Sequence, residues 1–161
     1  MNVFRRSFRF LTSGVRAPLR IHLMMLRHFK RKDKSLLAKL TANRMQRRFS
    51  IYISPLAELH PSVDFRHPTG IVIGEGVRIG KGSVIYQNVT LGGARSGDAE
   101  RSAYPIVGEN TTIFAGAVLV GKIRIGNDCI IGANAVVTSD VPDGSTAVGV
   151  PARIISRKQT D

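Results

Sequence analysis

Tryptophan is absent from this sequence, and cysteine occurs once, as Cys129. A lone thiol excludes a disulfide framework within the chain and fits a reducing compartment. No apolar run is long enough to span a membrane. The stretch from Phe8 to Leu26 is interrupted by Arg9, Arg16 and Arg20. It offers neither the apolar heart of a secretory signal nor a transmembrane segment. Without such a signal, the Asn-Xaa-Thr triplets at Asn88 and Asn110 are read as chance. No group of His, Cys, Asp and Glu has metal-ligand spacing, so no metal is expected. His22, His28 and His60 have no partner that can be named from sequence.

Acidic residues are nearly missing from the first fifty positions. That segment holds 14 of the 24 Lys/Arg against Asp33 alone, while residues 51–161 are balanced. The net charge of +13 therefore belongs to a basic segment joined to a neutral domain. Two organisational units are expected, 1–50 and 51–161. At 161 residues the chain is one domain by length, with room for a core.

Glycine is plentiful at 16, and its placement is periodic. From Ile73 an aliphatic residue returns every six positions, at Ile79, Ile85 and Leu91. A second run takes the same step through Val107, Ile113, Leu119, Ile125, Ile131 and Val137. Glycine often follows at once, as at Gly74, Gly80, Gly92, Gly108, Gly126 and Gly132. Small or β-branched residues recur four places after the aliphatic one, as at Val77, Ser83, Val89, Thr111, Ala117, Cys129 and Ala135. A weaker early phase runs Ile53, Leu59, Phe65, Ile71. A six-residue step would wander around a helix, and simple alternation leaves the glycines unexplained. Short strands separated by turns and stacked as a triangular coil explain both. A β-sandwich would need variable strand spacing. The phase breaks between Leu91 and Val107, so residues 92–106 should loop out of the coil, and such loops commonly carry binding contacts. Cys129 falls on the small inward position and should be a buried structural thiol.

The basic segment reads differently. Phe4, Phe8 and Leu11, and then Leu36, Leu37, Leu40 and Met45, suggest amphipathic helices ahead of the coil. They would cap its open end. Added contact with a membrane surface fits the mixture of Lys/Arg with Phe, Leu and Met. Any attraction to nucleic acid would be nonspecific, because no recognition motif accompanies the charge.

Three motifs carry a resemblance: His67-Pro68-Thr69-Gly70-Ile71-Val72-Ile73-Gly74-Glu75, Gln87-Asn88-Val89-Thr90-Leu91-Gly92-Gly93 and Gly149-Val150-Pro151-Ala152-Arg153. With these the sequence resembles the serine acetyltransferase branch of the hexapeptide-repeat acyltransferases. The resemblance implies a mainly β fold, a left-handed parallel β-helix of hexapeptide repeats with N-terminal α-helices and a protruding loop. It also implies a homotrimer and acetyl-CoA as cosubstrate. Acetylating a hydroxyl requires removing its proton, a task suited to histidine. His67 stands at the family's catalytic histidine. A backbone N–H at Gly92 or Gly93 would meet the oxyanion. Acetyl-CoA would lie between subunits, along Ala115, Gly116, Ala117 and Ala133. Arg153 would meet its phosphates, with Arg157 and Lys158 as further cations.

The departures concern the acceptor. The family's histidine-orienting Asp falls on Tyr52, with Glu58 and Asp64 as further stand-ins. The acidic residue before the histidine becomes Arg66, a cation that would repel the ammonium of serine. Ser102 or Tyr104 replaces the second active-site histidine, and Arg101 stands for the arginine before it. Tyr52, Arg66, Arg101 and Tyr104 are therefore the acceptor-binding candidates. These changes point to acetylation of a sugar of a surface polysaccharide or its precursor. The alternatives are serine acetylation feeding cysteine synthesis, and a non-catalytic scaffold. A cytoplasmic location is expected, with contact at the inner membrane face left open.

Overall fold

The computed structural model describes residues 16–98 and 101–155. Phe4, Phe8, Leu11, Arg157 and Lys158 lie outside them. Helix α1 (Arg16–Arg31) buries Leu19, Leu23 and Leu26, spaced to share one face. Helix α2 (Ser35–Phe49) buries Ala38, Ala42, Met45 and Phe49 in the same way. Both end on cations, Lys30 and Arg31 in α1 and Arg47 and Arg48 in α2, where the helix dipole favours positive charge. Ser50 ends α2 in the left-handed region at φ 54°, donating its N–H to the Gln46 carbonyl at 3.0 Å. The buried stripes of both helices join one core cluster with Ile51 and Ile53, so the helices close the first coil.

Fifteen short strands follow, in three sheets. Sheet A stacks β1 (Tyr52–Ile53), β4 (Val72–Ile73), β7 (Thr90–Gly92), β10 (Val118–Val120) and β13 (Val136–Val137). Sheet B stacks β2 (Glu58–Leu59), β5 (Arg78–Ile79), β8 (Ile106–Val107) and β11 (Arg124–Ile125). Sheet C stacks β3 (Asp64–Phe65), β6 (Val84–Ile85), β9 (Thr112–Ile113), β12 (Ile130–Ile131) and β14 (Thr146–Val148), and ends on β15 (Arg153–Ile155). All pairings are parallel except β14 with β15, which doubles back. The chain visits the sheets in turn, so it winds as a three-sided prism.

The register shows why the six-residue step exists. Ile73, Leu91, Leu119 and Val137 lie one above the next in sheet A, and Phe65, Ile85, Ile113, Ile131 and Ala147 do so in sheet C. Each is buried and fills the prism. Cys129 is buried as expected, its thiol donating to the Pro142 carbonyl at 3.0 Å. Ile113→Ala removes a fully buried side chain from the middle of its column. It should cost about 2–5 kcal/mol, read as a fall in thermal or denaturant stability.

The early phase differs from the sequence reading at Ile71. The partner of Ile53 in the strand ladder is Ile73, eight positions after Phe65. Ile71 is buried at the corner before β4, the place held by Val89 before β7. The corner at 66–71 is thus two residues longer than its neighbour at 86–89. The protruding segment is also slightly shorter than 92–106, since Gly92 ends β7 and Ile106 begins β8.

Candidate active site

The edge of the prism between sheets C and A collects most of the sequence candidates. The Asn88 N–H donates to the Thr69 carbonyl at 2.8 Å, Gly116 to Gln87 at 3.0 Å, and Asn134 to Ala115 at 2.9 Å. These bonds align the His67 corner, Gln87, Ala115 with Gly116, and Ala133 in one column, stepping by roughly the 4.8 Å between strands. At its lower end the chain turns through Gly149-Val150-Pro151-Ala152. Arg153 then pairs with Val148, and its side chain is exposed.

His67 sits on the lengthened corner. Its backbone is left-handed at φ 49°, and its side chain is exposed. Among the described residues no hydrogen bond reaches its ring; its neighbour is Tyr86, with ring centroids 6.4 Å apart. None of the expected stand-ins for an orienting carboxylate is found on it. Glu58 pairs with Arg78 at 3.3 Å on sheet B. Asp64 is taken by Arg66 at 2.6 Å and Arg20 at 3.6 Å. Tyr52 lines a cavity with Ala38, Ala42 and Glu75, between α2 and sheet A.

The Arg66 pairing changes the electrostatic argument. Asp64 and Arg66 project from the same side of an extended chain, two residues apart. With the Asp64 carboxylate against its Nε, the charge of Arg66 is offset in part, since Asp64 also meets Arg20, and its repulsion of an ammonium group is reduced.

Gly92, Gly93, Arg101 and Tyr104 are elsewhere, on the edge between sheets A and B. Gly92 is in register with Val120, and its carbonyl accepts the Gly121 N–H at 3.0 Å. A Cβ there would meet nothing within 4 Å. The Gly93 N–H makes no hydrogen bond among the described residues. A Cβ on Gly93 would lie 2.9 Å from Cβ of Asp98, so the loop needs glycine at this point. Asp98 organises that loop, accepting the Ala94 N–H at 2.6 Å and the Arg95 N–H at 2.8 Å. The Arg95 N–H, helped by the Ala94 N–H and the cations of Arg101 and Arg95, holds the Asp98 carboxyl below its ordinary value against the opposing effect of burial. Arg101 reaches back to carbonyls of its own loop, at Gly97 and Ser96. The Tyr104 ring lies over Gly76, and its hydroxyl donates to Glu75 at 3.3 Å. Burial, then the Glu75 carboxylate, pushes the phenol above its ordinary pKa. Within one chain, therefore, His67 and Gly93 lie on opposite borders of sheet A.

Two features of the His67 edge escaped the sequence reading. Tyr86 and Phe114 stack with centroids 5.0 Å apart and planes 24° from parallel, a flat apolar platform beside His67. Their shared signal is that each directly follows an inward aliphatic residue, Ile85 or Ile113. The second feature is Gln87, whose Oε1 is buried without a hydrogen-bond partner between the His67 corner and Ala115. An unpartnered buried acceptor is costly and marks a place for an incoming donor.

Residues 104–139 match the family described as bacterial transferase hexapeptide (six repeats). The serine acetyltransferase of Mycobacterium tuberculosis is 42% identical over 124 residues, covering 77% of this chain and 53% of that protein. The Neisseria gonorrhoeae serine acetyltransferase, solved in complex with serine, superposes with a TM-score of 0.74 at 39% identity, covering 82% of this chain and 53% of that one. A serine acetyltransferase in complex with CoA gives 0.74 at 38% identity, covering 83% and 55%. The shared fold is a left-handed parallel β-helix. The chain spans about half the length of the curated relatives it matches.

Proposed function

Because this chain belongs to the hexapeptide-repeat transferases, in their serine acetyltransferase-like branch, we propose that it transfers acetyl from acetyl-CoA to a hydroxyl group. The observation that carries the reading is the single prism edge on which His67, Gln87, Ala115, Gly116 and Ala133 are aligned. An extended thioester laid along that column has small residues beside it and a base at one end. His67 takes the hydroxyl proton as the oxygen attacks the thioester carbonyl. The tetrahedral oxyanion receives the unengaged Gly93 N–H. Collapse breaks the carbon–sulfur bond, and the imidazolium returns its proton to the departing CoA thiolate. Arg153 supplies a cation for the CoA phosphates.

His67 and Gly93 on opposite borders of sheet A cannot serve one carbonyl within one chain. A closed ring of chains, here a homotrimer, brings the edge of one prism against the loop of the next. Every site is then shared between two copies.

L-Serine is the acceptor best supported, by identity of about 40% to serine acetyltransferases over the β-helix, and Asp64 offsets part of the Arg66 charge that would oppose its ammonium group. The second reading, a sugar hydroxyl of a surface polysaccharide or its precursor, is favoured by the Tyr86–Phe114 platform, since flat apolar rings pack well against the C–H face of a sugar. The test is thiol release from acetyl-CoA with L-serine and, separately, with a panel of sugars and glycans. Turnover with serine alone is the expected result. Turnover with glycan alone replaces serine by the second reading, and failure to bind or turn over acetyl-CoA removes both.

A further inference from the structure

We propose that the outer face of the α1–α2 hairpin is a docking surface for an anionic lipid bilayer. Each helix buries one stripe against the first coil, so the opposite stripes of both point away from the prism. Those outward stripes are apolar where solvent would favour polar residues. Leu36 is 68% exposed, Leu40 51%, Ile21 44% and Met25 42%. Ile21 and Met25 are four apart, as are Leu36 and Leu40, so each pair forms a ridge.

Cations border the ridges. Arg31, Lys32, Lys34, Lys39, Arg44 and Arg47 are exposed, and none forms a salt bridge among the described residues. The stretch from Arg16 to Phe49 holds eleven Lys/Arg and a single acidic residue, Asp33. Apolar ridges flanked by long basic side chains are what a helix needs to sit in a bilayer interface, with the ridge among the acyl chains and the cations at the phosphates. Neither helix is long and apolar enough to cross a membrane, so the contact is superficial.

The charge selects among occupants. A second copy seated on this face would set unpaired cations against one another. Single-stranded nucleic acid would call for exposed aromatic rings to stack bases, and the ridges are Leu, Ile and Met. Anionic headgroups over an apolar layer satisfy both the charge and the ridges. This inference is independent of the acceptor and of the catalytic reading.

The experiment is flotation of the full chain with vesicles of phosphatidylcholine alone, or of phosphatidylcholine with phosphatidylglycerol. Binding should require phosphatidylglycerol and weaken as salt is raised. Replacing Lys32, Lys34 and Lys39 together by serine should weaken partition by on the order of a hundredfold, since each cation near the surface is worth about a factor of five. The double variant Leu36→Ser with Leu40→Ser should also release the protein from vesicles. All five side chains are exposed, and circular dichroism should show an unchanged fold. Equal binding to both vesicle types, or no binding to either, would overturn the proposal. So would a leucine variant that changes particle mass in light scattering but floats like the parent, which would make the face a contact between copies.

Discussion

His67→Ala should lower the rate of acetyl transfer by about 10²–10⁴-fold, the usual loss on removing a general base. The effect should fall on kcat, because the small residues aligned for the donor, at Ala115 and Ala133, are untouched. Stability should barely move. The His67 ring is exposed, and among the described residues it accepts and donates no hydrogen bond. Its backbone is left-handed, at φ 49°. His67→Asn is therefore the better-behaved companion, since asparagine adopts that region readily and cannot act as the base. Thiol release and thermal melting, measured on both variants, separate chemistry from folding. Turnover at the parental rate in either one would remove His67 from the mechanism and require a different base.

Mixing two inactive variants should restore activity. His67→Ala keeps the Gly93 loop intact, while Gly93→Val keeps His67 but drives a side chain into Asp98. If base and oxyanion donor come from different chains, random mixing in a trimer gives about a quarter of sites an intact pair. Activity should rise from near zero to about that fraction of the parent when the two variants are co-expressed. It should stay near zero when the separately purified variants are combined without exchange of chains. No recovery on co-expression would mean that His67 and the Gly93 loop do not complete one site across two chains. The shared-site reading would then be wrong at its root.

Much of this was legible in the sequence, and the exceptions have physical causes. The six-residue recurrence of aliphatic residues dictates the prism, because every inward position must be filled and every corner must turn. The break after Leu91 was visible because no aliphatic residue continues the phase through the loop. The lengthened corner at His67 was hidden because Ile71 sits six places after Phe65 and mimics a strand position. It is in fact a corner residue, and the ladder resumes at Ile73. Single-chain patterns also cannot bring Tyr86 beside Phe114, since the intervening loop separates two residues that the register stacks. The Asp64–Arg66 pair was within reach, as a strand places residues two apart on one side. Reading Arg66 as an isolated charge overlooked it. The helical segment was legible in type, but its exposed leucine ridge was not, because hydrophobic spacing alone does not say which of two apolar stripes faces the core.

The way the strand ladders end bears on growth. A stack of parallel strands exposes unpaired N–H and C=O groups at its first and last rungs, where another molecule could continue the ladder. Here α1 and α2 lie over the first rung, and β15 runs backwards along β14 on sheet C, so the final rung is paired in the wrong direction for a following parallel strand. Along sheet C a further parallel strand is therefore refused, and what continues the other two faces is short: sheet B ends on the single parallel bridge of Val141 to Ile125. Sheet C is thus the face along which lengthwise addition is stopped.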